Sequence, residues 1–334
     1  MAQQVSIASA VPDTSSPIRQ VPKSALNPRI VPLSDEEVAS MKDSAFTYAG
    51  PMAPPWMRAT LGFAGKLAPR TLAPLVSRLW FTPGKAARPA REQAWLEAAQ
   101  RRETLVWRDG TVQLYGWGGT GPLVLLVHGW QGRGTQMAAF AEPLVEAGFR
   151  VLAFDAPAHG DSAGKQTHGE AFARVIETIQ RQEGPFHAMI AHSFGCAPAT
   201  YALRCGVSIE KLVLLAPARG LEFAIRSFQV GLGVPEPVVP HWKRIAEAKV
   251  GQVGDIWRAM SVTANLEAMN PDGLVVHDRD DHWVSVREGR AVASSWENGT
   301  YWETSGLGHH RVLRDPEIVA RVTDFLKGGG ASEA

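Results

Sequence analysis

From residue 104 onward the chain alternates short, unbroken apolar runs with longer amphipathic stretches. Residues 123–127 are apolar at every position, the pattern of a strand buried on both faces. Further strands are predicted at 150–154, 187–191, 211–215, 273–277 and 300–304, with helices between them. Ahead of them, 104–107 and 111–117 flank Asp109-Gly110 and predict a hairpin. Alternation of strand and helix implies right-handed βαβ units on a largely parallel sheet. The last helix is well punctuated. Asp315 suits its cap, Pro316 its first position and Gly328 its end, while Ile318, Val319, Val322, Phe325 and Leu326 form its apolar face. The expected class is therefore α/β: a mostly parallel central sheet with helices on both faces, preceded by an N-terminal helical extension and interrupted by a helical cap.

The pattern divides the chain. Residues 1–33, rich in Ser, Pro, Ala and Gln, read as a flexible arm. Residues 34–103 read as a helical extension. Ser34 caps an acidic first turn there, and 89–102 reads as a helix with Trp95, Leu96 and Ala99 on one face. The core spans 104–218 and 273–328. The stretch 219–272, with its Pro-rich break at 234–240, reads as a cap or lid inserted over the sheet.

Composition narrows this picture more than it adds to it. The chain has 334 residues and a net charge of +1, which gives bulk electrostatics no leaning toward nucleic acid. Charge is uneven, however. Residues 50–102 hold nine basic and two acidic residues, interleaved with Trp56, Met57, Leu61, Phe63, Leu72, Leu75, Leu79, Trp80 and Phe81. That segment reads as helices packed on the main domain, with peripheral contact to anionic lipid as the sharper alternative. Cys196 and Cys205 lie nine residues apart on one expected helix, ~13 Å along its axis, too far for a disulfide. The start shows no secretory pattern and no apolar run is long enough to span a bilayer, so a cytoplasmic protein is expected, with membrane association through 50–102 as the variant. Oligomeric state is not legible.

The chemistry concentrates after the strands. Ala191-His192-Ser193-Phe194-Gly195 follows the apolar run at 188–190 and opens a helix, a variant of G-x-S-x-G with Ala191 in first position. A serine on such a strand-to-helix turn projects its hydroxyl above the sheet edge; the plainer reading is a helix-capping serine. Three carboxylates, Asp278, Asp280 and Asp281, follow the strand at 273–277. Two imidazoles, His309 and His310, follow the strand at 300–304. A metal reading of His277, Asp278, Asp280, Asp281 and His282 fails on geometry, because adjacent residues on a turn diverge. No metal and no cofactor are expected.

These motifs, with Val127-His128-Gly129-Trp130 and Asp155-Ala156-Pro157-Ala158-His159-Gly160-Asp161-Ser162, resemble those of the α/β-hydrolase superfamily over about 104–327. The resemblance implies Ser193 as nucleophile, and His309, by the Gly-His motif, as base ahead of His310. It implies Asp281, by the His-Gly-x-x-Asp pattern, as acid ahead of Asp280 and Asp278, with Asp278 standing where Gly is usual. It implies the backbone N–H groups of Trp130 and Phe194 as an oxyanion hole, and the chain order Ser193, Asp281, His309 matches the fold. His159 reads as a structural loop residue. Trp130 and Trp283 are candidates to line a substrate pocket. The function expected is a serine esterase or thioesterase acting on a small ester-like substrate. Acyl transfer, amide or C–C hydrolysis on the same residues, or a non-catalytic binding protein on this fold, are the alternatives.

Overall fold

The computed structural model describes residues 52–328, apart from 86, 109 and 252–253. The arm, Ser34 with its acidic turn, and Asp109 of the hairpin turn lie outside the described residues. Eight strands form one sheet: β1 Arg101–Trp107, β2 Gly110–Trp117, β3 Leu123–Val127, β4 Arg150–Asp155, β5 Ala188–His192, β6 Lys211–Leu215, β7 Asp272–Asp278 and β8 Gly299–Thr304. Their order is β1-β2-β4-β3-β5-β6-β7-β8. β1 and β2 pair antiparallel with each other, and β2 antiparallel with β4; all other neighbours are parallel.

All five residues of β3 are buried because the sheet is covered on both faces. Leu123, Leu125 and Val127 point into one core, shared with α5 (Gly169–Glu183), α6 (Cys196–Arg204) and α10 (Val262–Met269). Val124 and Leu126 point into the other, shared with α4 (Ala141–Glu146) and α13 (Pro316–Lys327). A period of two against two apolar layers makes every position apolar.

The remaining helices are α1 Pro55–Leu67, α2 Pro69–Trp80, α3 Ala90–Ala98, α7 Leu221–Leu232, α8 Val239–Val250, α9 Ile256–Ala259, α11 Val286–Ser294 and α12 Gly308–Arg311. The helix expected over 89–102 ends at Ala98, and Arg101 and Arg102 belong to β1. The local apolar spacing reads as a helix throughout, but pairing of Arg101 with Gly116 and Arg102 with Tyr115 extends the hairpin and overrides it. Cys196 and Cys205 are both free thiols.

Residues of the N-terminal helices and of the segment 219–272 share one core. Leu61 of α1 and Ala73 and Val76 of α2 bury against Ile225 and Leu232 of α7 and Trp242 of α8. Trp80 meets Trp242 edge-on at 5.3 Å and Phe228 at 5.2 Å. The last helix of the inserted stretch behaves differently, with Val262 and Leu266 of α10 buried in the main core.

Two registers set up the site. Val127 pairs with Ala191, so the turn leaving β3 lies beside the turn leaving β5. Asp278 pairs with Thr304, so the loops leaving β7 and β8 rise together. Ligand sites on open α/β sheets form outside these carboxyl ends, where strand order reverses, here between β4-β3 and β5-β6.

Candidate active site

Ser193 leaves β5 with φ +53°, a left-handed conformation that costs a non-glycine residue of order 1–3 kcal/mol and persists only where surroundings enforce it. The neighbours do enforce it. A side chain at Gly195 would place Cβ 2.4 Å from the His128 carbonyl oxygen, and one at Gly129 would place it 3.1 Å from Ser193 Cβ. The two turns are pressed together, and glycine at both positions is what allows it. His128 locks the other side. Its Nε2 accepts the Ala156 N–H at 3.0 Å, which leaves Nδ1–H to donate to the Gly129 carbonyl at 2.7 Å. Burial, the leading cause, pushes this imidazole down to about 4, so it is neutral.

Ser193, His309 and Asp281 meet. Ser193 Oγ lies 2.9 Å from His309 Nε2, and His309 Nδ1 lies 2.6 Å from Asp281 Oδ2. The other Asp281 oxygen accepts backbone N–H groups from Trp283 at 2.7 Å and Val284 at 2.9 Å. Burial alone would raise the Asp281 carboxyl; hydrogen bonds from His277, His309 and Val284 outweigh it and hold the group well below the usual carboxylate range. Asp281 therefore stays ionised, and Nδ1 of His309 carries the proton it donates to that carboxylate. Nε2 is left to accept from the serine hydroxyl.

The carboxylates not chosen as the acid hold the loop instead. Asp278 accepts Thr304 Oγ1 at 2.8 Å and the N–H groups of Gly308 at 2.8 Å, Leu307 at 3.1 Å and Asp280 at 3.0 Å. Asp280 accepts the Gly306 N–H at 2.6 Å. Sequence reading did not find these anchors. A carboxylate one strand from a Gly-rich loop, Ser305-Gly306-Leu307-Gly308, was the available sign.

Two further histidines contact the residues of the site, and their contacts were not legible in the sequence motifs that contain them. His192 Nε2–H donates to the His309 carbonyl at 3.0 Å, and burial holds this imidazole far below its usual value. His277 Nε2 lies 2.9 Å from the Val284 carbonyl and 3.5 Å from Asp281 Oδ2. His310 sits on the rim, its ring 6.0 Å from Trp283 and 5.0 Å from that of His309, away from the serine contact.

Trp130 and Phe194 follow the two touching turns, and their rings meet edge-on at 5.1 Å. Trp130 also packs on His159 at 5.2 Å. His159 Nε2 accepts the Gln131 N–H at 3.1 Å while Nδ1 faces the Pro157 carbonyl, a loop-holding arrangement. Trp283 is 48% exposed and lies 6.4 Å, ring to ring, from His309. Among the described residues no group of three or more His, Cys, Asp or Glu side chains is placed to hold a metal ion, and no helix is long and apolar enough to cross a membrane.

A parallel sheet carrying a strained serine between two glycine-bearing turns, faced by an imidazole and a carboxylate from the next loops, defines a class before any comparison. The alpha/beta hydrolase family matches residues 124–322, and the chain belongs to that family. No curated protein matches the chain in sequence. Among solved structures, an esterase of Pyrococcus furiosus is similar at 22% identity and TM-score 0.55, covering 74% of this chain and 98% of its own. An esterase of Rhodococcus sp. ECU1013 is similar at 17% identity and TM-score 0.51, covering 69% and 99%. A membrane phospholipase A described as a bacterial virulence factor is similar at 18% identity and TM-score 0.54, covering 82% and 96%. At these identities the likeness is one of fold.

Proposed function

We propose that the chain is a serine hydrolase that cleaves a carboxylic ester or thioester through an acyl-enzyme on Ser193. The observation that carries this reading is the unbroken relay from Ser193 Oγ through His309 to Asp281, at 2.9 and 2.6 Å. His309 Nε2 takes the hydroxyl proton as Oγ bonds to the carbonyl carbon. Ionised Asp281 stabilises the imidazolium and keeps its ring oriented. The carbonyl oxygen, now negative, is received by the N–H groups of Trp130 and Phe194, which extend from the turns that Gly129 and Gly195 bring into contact; one such donor is worth ~10²–10³ in rate. Collapse breaks the bond to the alcohol or thiol, which leaves with the proton from His309. Water then attacks the acyl-enzyme, giving its proton to His309, and Ser193 is regenerated with release of the acid. Trp130 and Trp283 flank the reacting groups and supply apolar surface for the substrate.

A fluorophosphonate probe tests the reading. Wild type labels at Ser193, and Ser193→Ala does not. Absent labelling of wild type overturns it in favour of a non-catalytic binding protein on this fold, and equal labelling of both overturns it by removing Ser193 from the nucleophile's role. A p-nitrophenyl ester chain-length series run beside acyl-CoA and amide substrates then separates esterase, thioesterase and amidase, and an added alcohol acceptor reveals acyl transfer.

A further inference from the structure

Helix α1 is apolar on two opposite faces, and only one of them is covered by the described residues. Leu61 and Gly65 face the core shared with α7 and α8. Trp56, Phe63 and Leu67 face away, at 70%, 69% and 69% exposure. At ~100° per residue these three fall within about 40° of one another, a narrow stripe running the length of the helix. On the adjoining α2, Leu75 and Leu79 are exposed as well. Large apolar side chains grouped this way on a surface mark a contact site.

The charges around the stripe say what it contacts. Residues 52–80 contain Arg58, Lys66, Arg70 and Arg78 and no Asp or Glu. Lys66, Arg70 and Arg78 are exposed, and no carboxylate pairs with them among the described residues. Arg78 also borders a cleft of about 700 Å³ between α2, α8 and the loop after β4, together with Lys85, Lys165 and Lys249; among the described residues no carboxylate lines it. Lys85 donates to the carbonyls of Gly160 and Ser162 and Lys249 to Gln166 Oε1, and among the described residues neither forms an ion pair with a carboxylate. A protein partner with an apolar face would satisfy the stripe alone. A surface that is apolar in depth and negative at its boundary satisfies both the stripe and the cations.

We propose that α1 and α2 form a docking surface for anionic phospholipid bilayers, with Trp56, Phe63 and Leu67 entering the acyl boundary and Lys66, Arg70 and Arg78 facing lipid phosphates. Nothing in this depends on the chemistry at Ser193, and its test reads binding rather than hydrolysis.

Full-length protein is sedimented with vesicles of phosphatidylcholine alone or with 30% phosphatidylglycerol (about one lipid in three, enough for a surface potential). Binding to the anionic vesicles that weakens as salt is raised is expected, with little binding to the neutral ones. Trp56→Ser/Phe63→Ser/Leu67→Ser should lower the partition coefficient at least ~10-fold, since three large apolar side chains no longer enter the acyl boundary. Lys66→Glu/Arg70→Glu, both at exposed positions, should lower it comparably on anionic vesicles while leaving the thermal melt unchanged. No partition of wild type onto anionic vesicles overturns the proposal, as does undiminished binding by both variants. So does a solution dimer that the triple substitution splits while vesicles fail to bind, which assigns the stripe to a second copy.

Discussion

The Asp278 carboxylate accepts the backbone N–H of Gly308 at 2.8 Å, one residue before the imidazole that faces Ser193. With its bonds to Leu307, Thr304 and Asp280, this side chain ties the end of β7 to the loop that carries His309. Burial would raise its pKa, but these four donors prevail and keep it below the ordinary carboxylate value. Asp278 touches none of the proposed reacting groups and acts through the loop.

Asp278→Ala should therefore lower kcat on a short soluble ester by ~10–100-fold, the loss that follows displacement of a reacting group by about 1 Å, with KM little changed. Asp278→Asn keeps one acceptor oxygen and should fall between wild type and Ala. Steady-state kinetics check this, and an unchanged kcat in Asp278→Ala would show that the loop holds His309 without it.

Asp281→Asn should cost kcat ~10⁴, through loss of the ionised group that sets the His309 tautomer. The amide can still accept from Trp283 and Val284, so the fold should survive. Circular dichroism and a melt establish folding, and the ester assay reads the loss. A folded Asp281→Asn within tenfold of wild type would remove Asp281 from the proposed role.

How these residues divide between legible and hidden follows from what local sequence encodes. Strands such as 123–127 are visible because burial on both faces leaves no polar position in the run. The meeting of Ser193, His309 and Asp281 was foreseen because each follows a strand in a recognisable motif. Among three neighbouring carboxylates, though, only a family pattern separated Asp281 from Asp278. The work of Asp278 was hidden because its partners lie up to 30 residues away and three of them are backbone N–H groups, which every residue but proline carries. The core joining α1 and α2 to α7 and α8 was hidden for the same reason: Leu61 and Trp242 are far apart in sequence, and nothing local to either names the other.

Three buried histidines should make the fold sensitive to mild acid. His128 is pushed down to about 4, His159 to about 3 and His192 well below its usual value, in each case first by burial. Unfolding releases them to titrate near ~6.5. Above that value neither state binds protons and their contribution is constant. Below it the unfolded state binds protons that the folded state refuses, so stability is lost as pH falls. By linkage each should cost on the order of 1 kcal/mol by pH 5.5, a few kcal/mol together as an upper bound. Urea unfolding at pH 7.5 and 5.5 measures it, and equal stability at the two values would show that these rings accept protons without unfolding.

The last expectation concerns how the extension is fastened. Glu92 of α3 and Arg133, after β3, form a buried ion pair at 2.6 Å with side-chain exposures of 3% and 9%, and Thr135 Oγ1 also donates to Glu92 at 3.3 Å. Two ions withdrawn from water gain little net stability from each other compared with an apolar pair of the same shape, but removing one strands the charge of the other. Glu92→Ala should thus destabilise by ~3–5 kcal/mol. Glu92→Met/Arg133→Met should be much milder than Glu92→Ala alone, despite removing more groups. Arg133 follows Gly132 in the turn that leaves Trp130, so the single variant should also slow fluorophosphonate labelling of Ser193 more than the double variant does. Thermal melts with labelling rates on both variants test this, and a double variant less stable than Glu92→Ala would mean that the pair stabilises the docked extension outright.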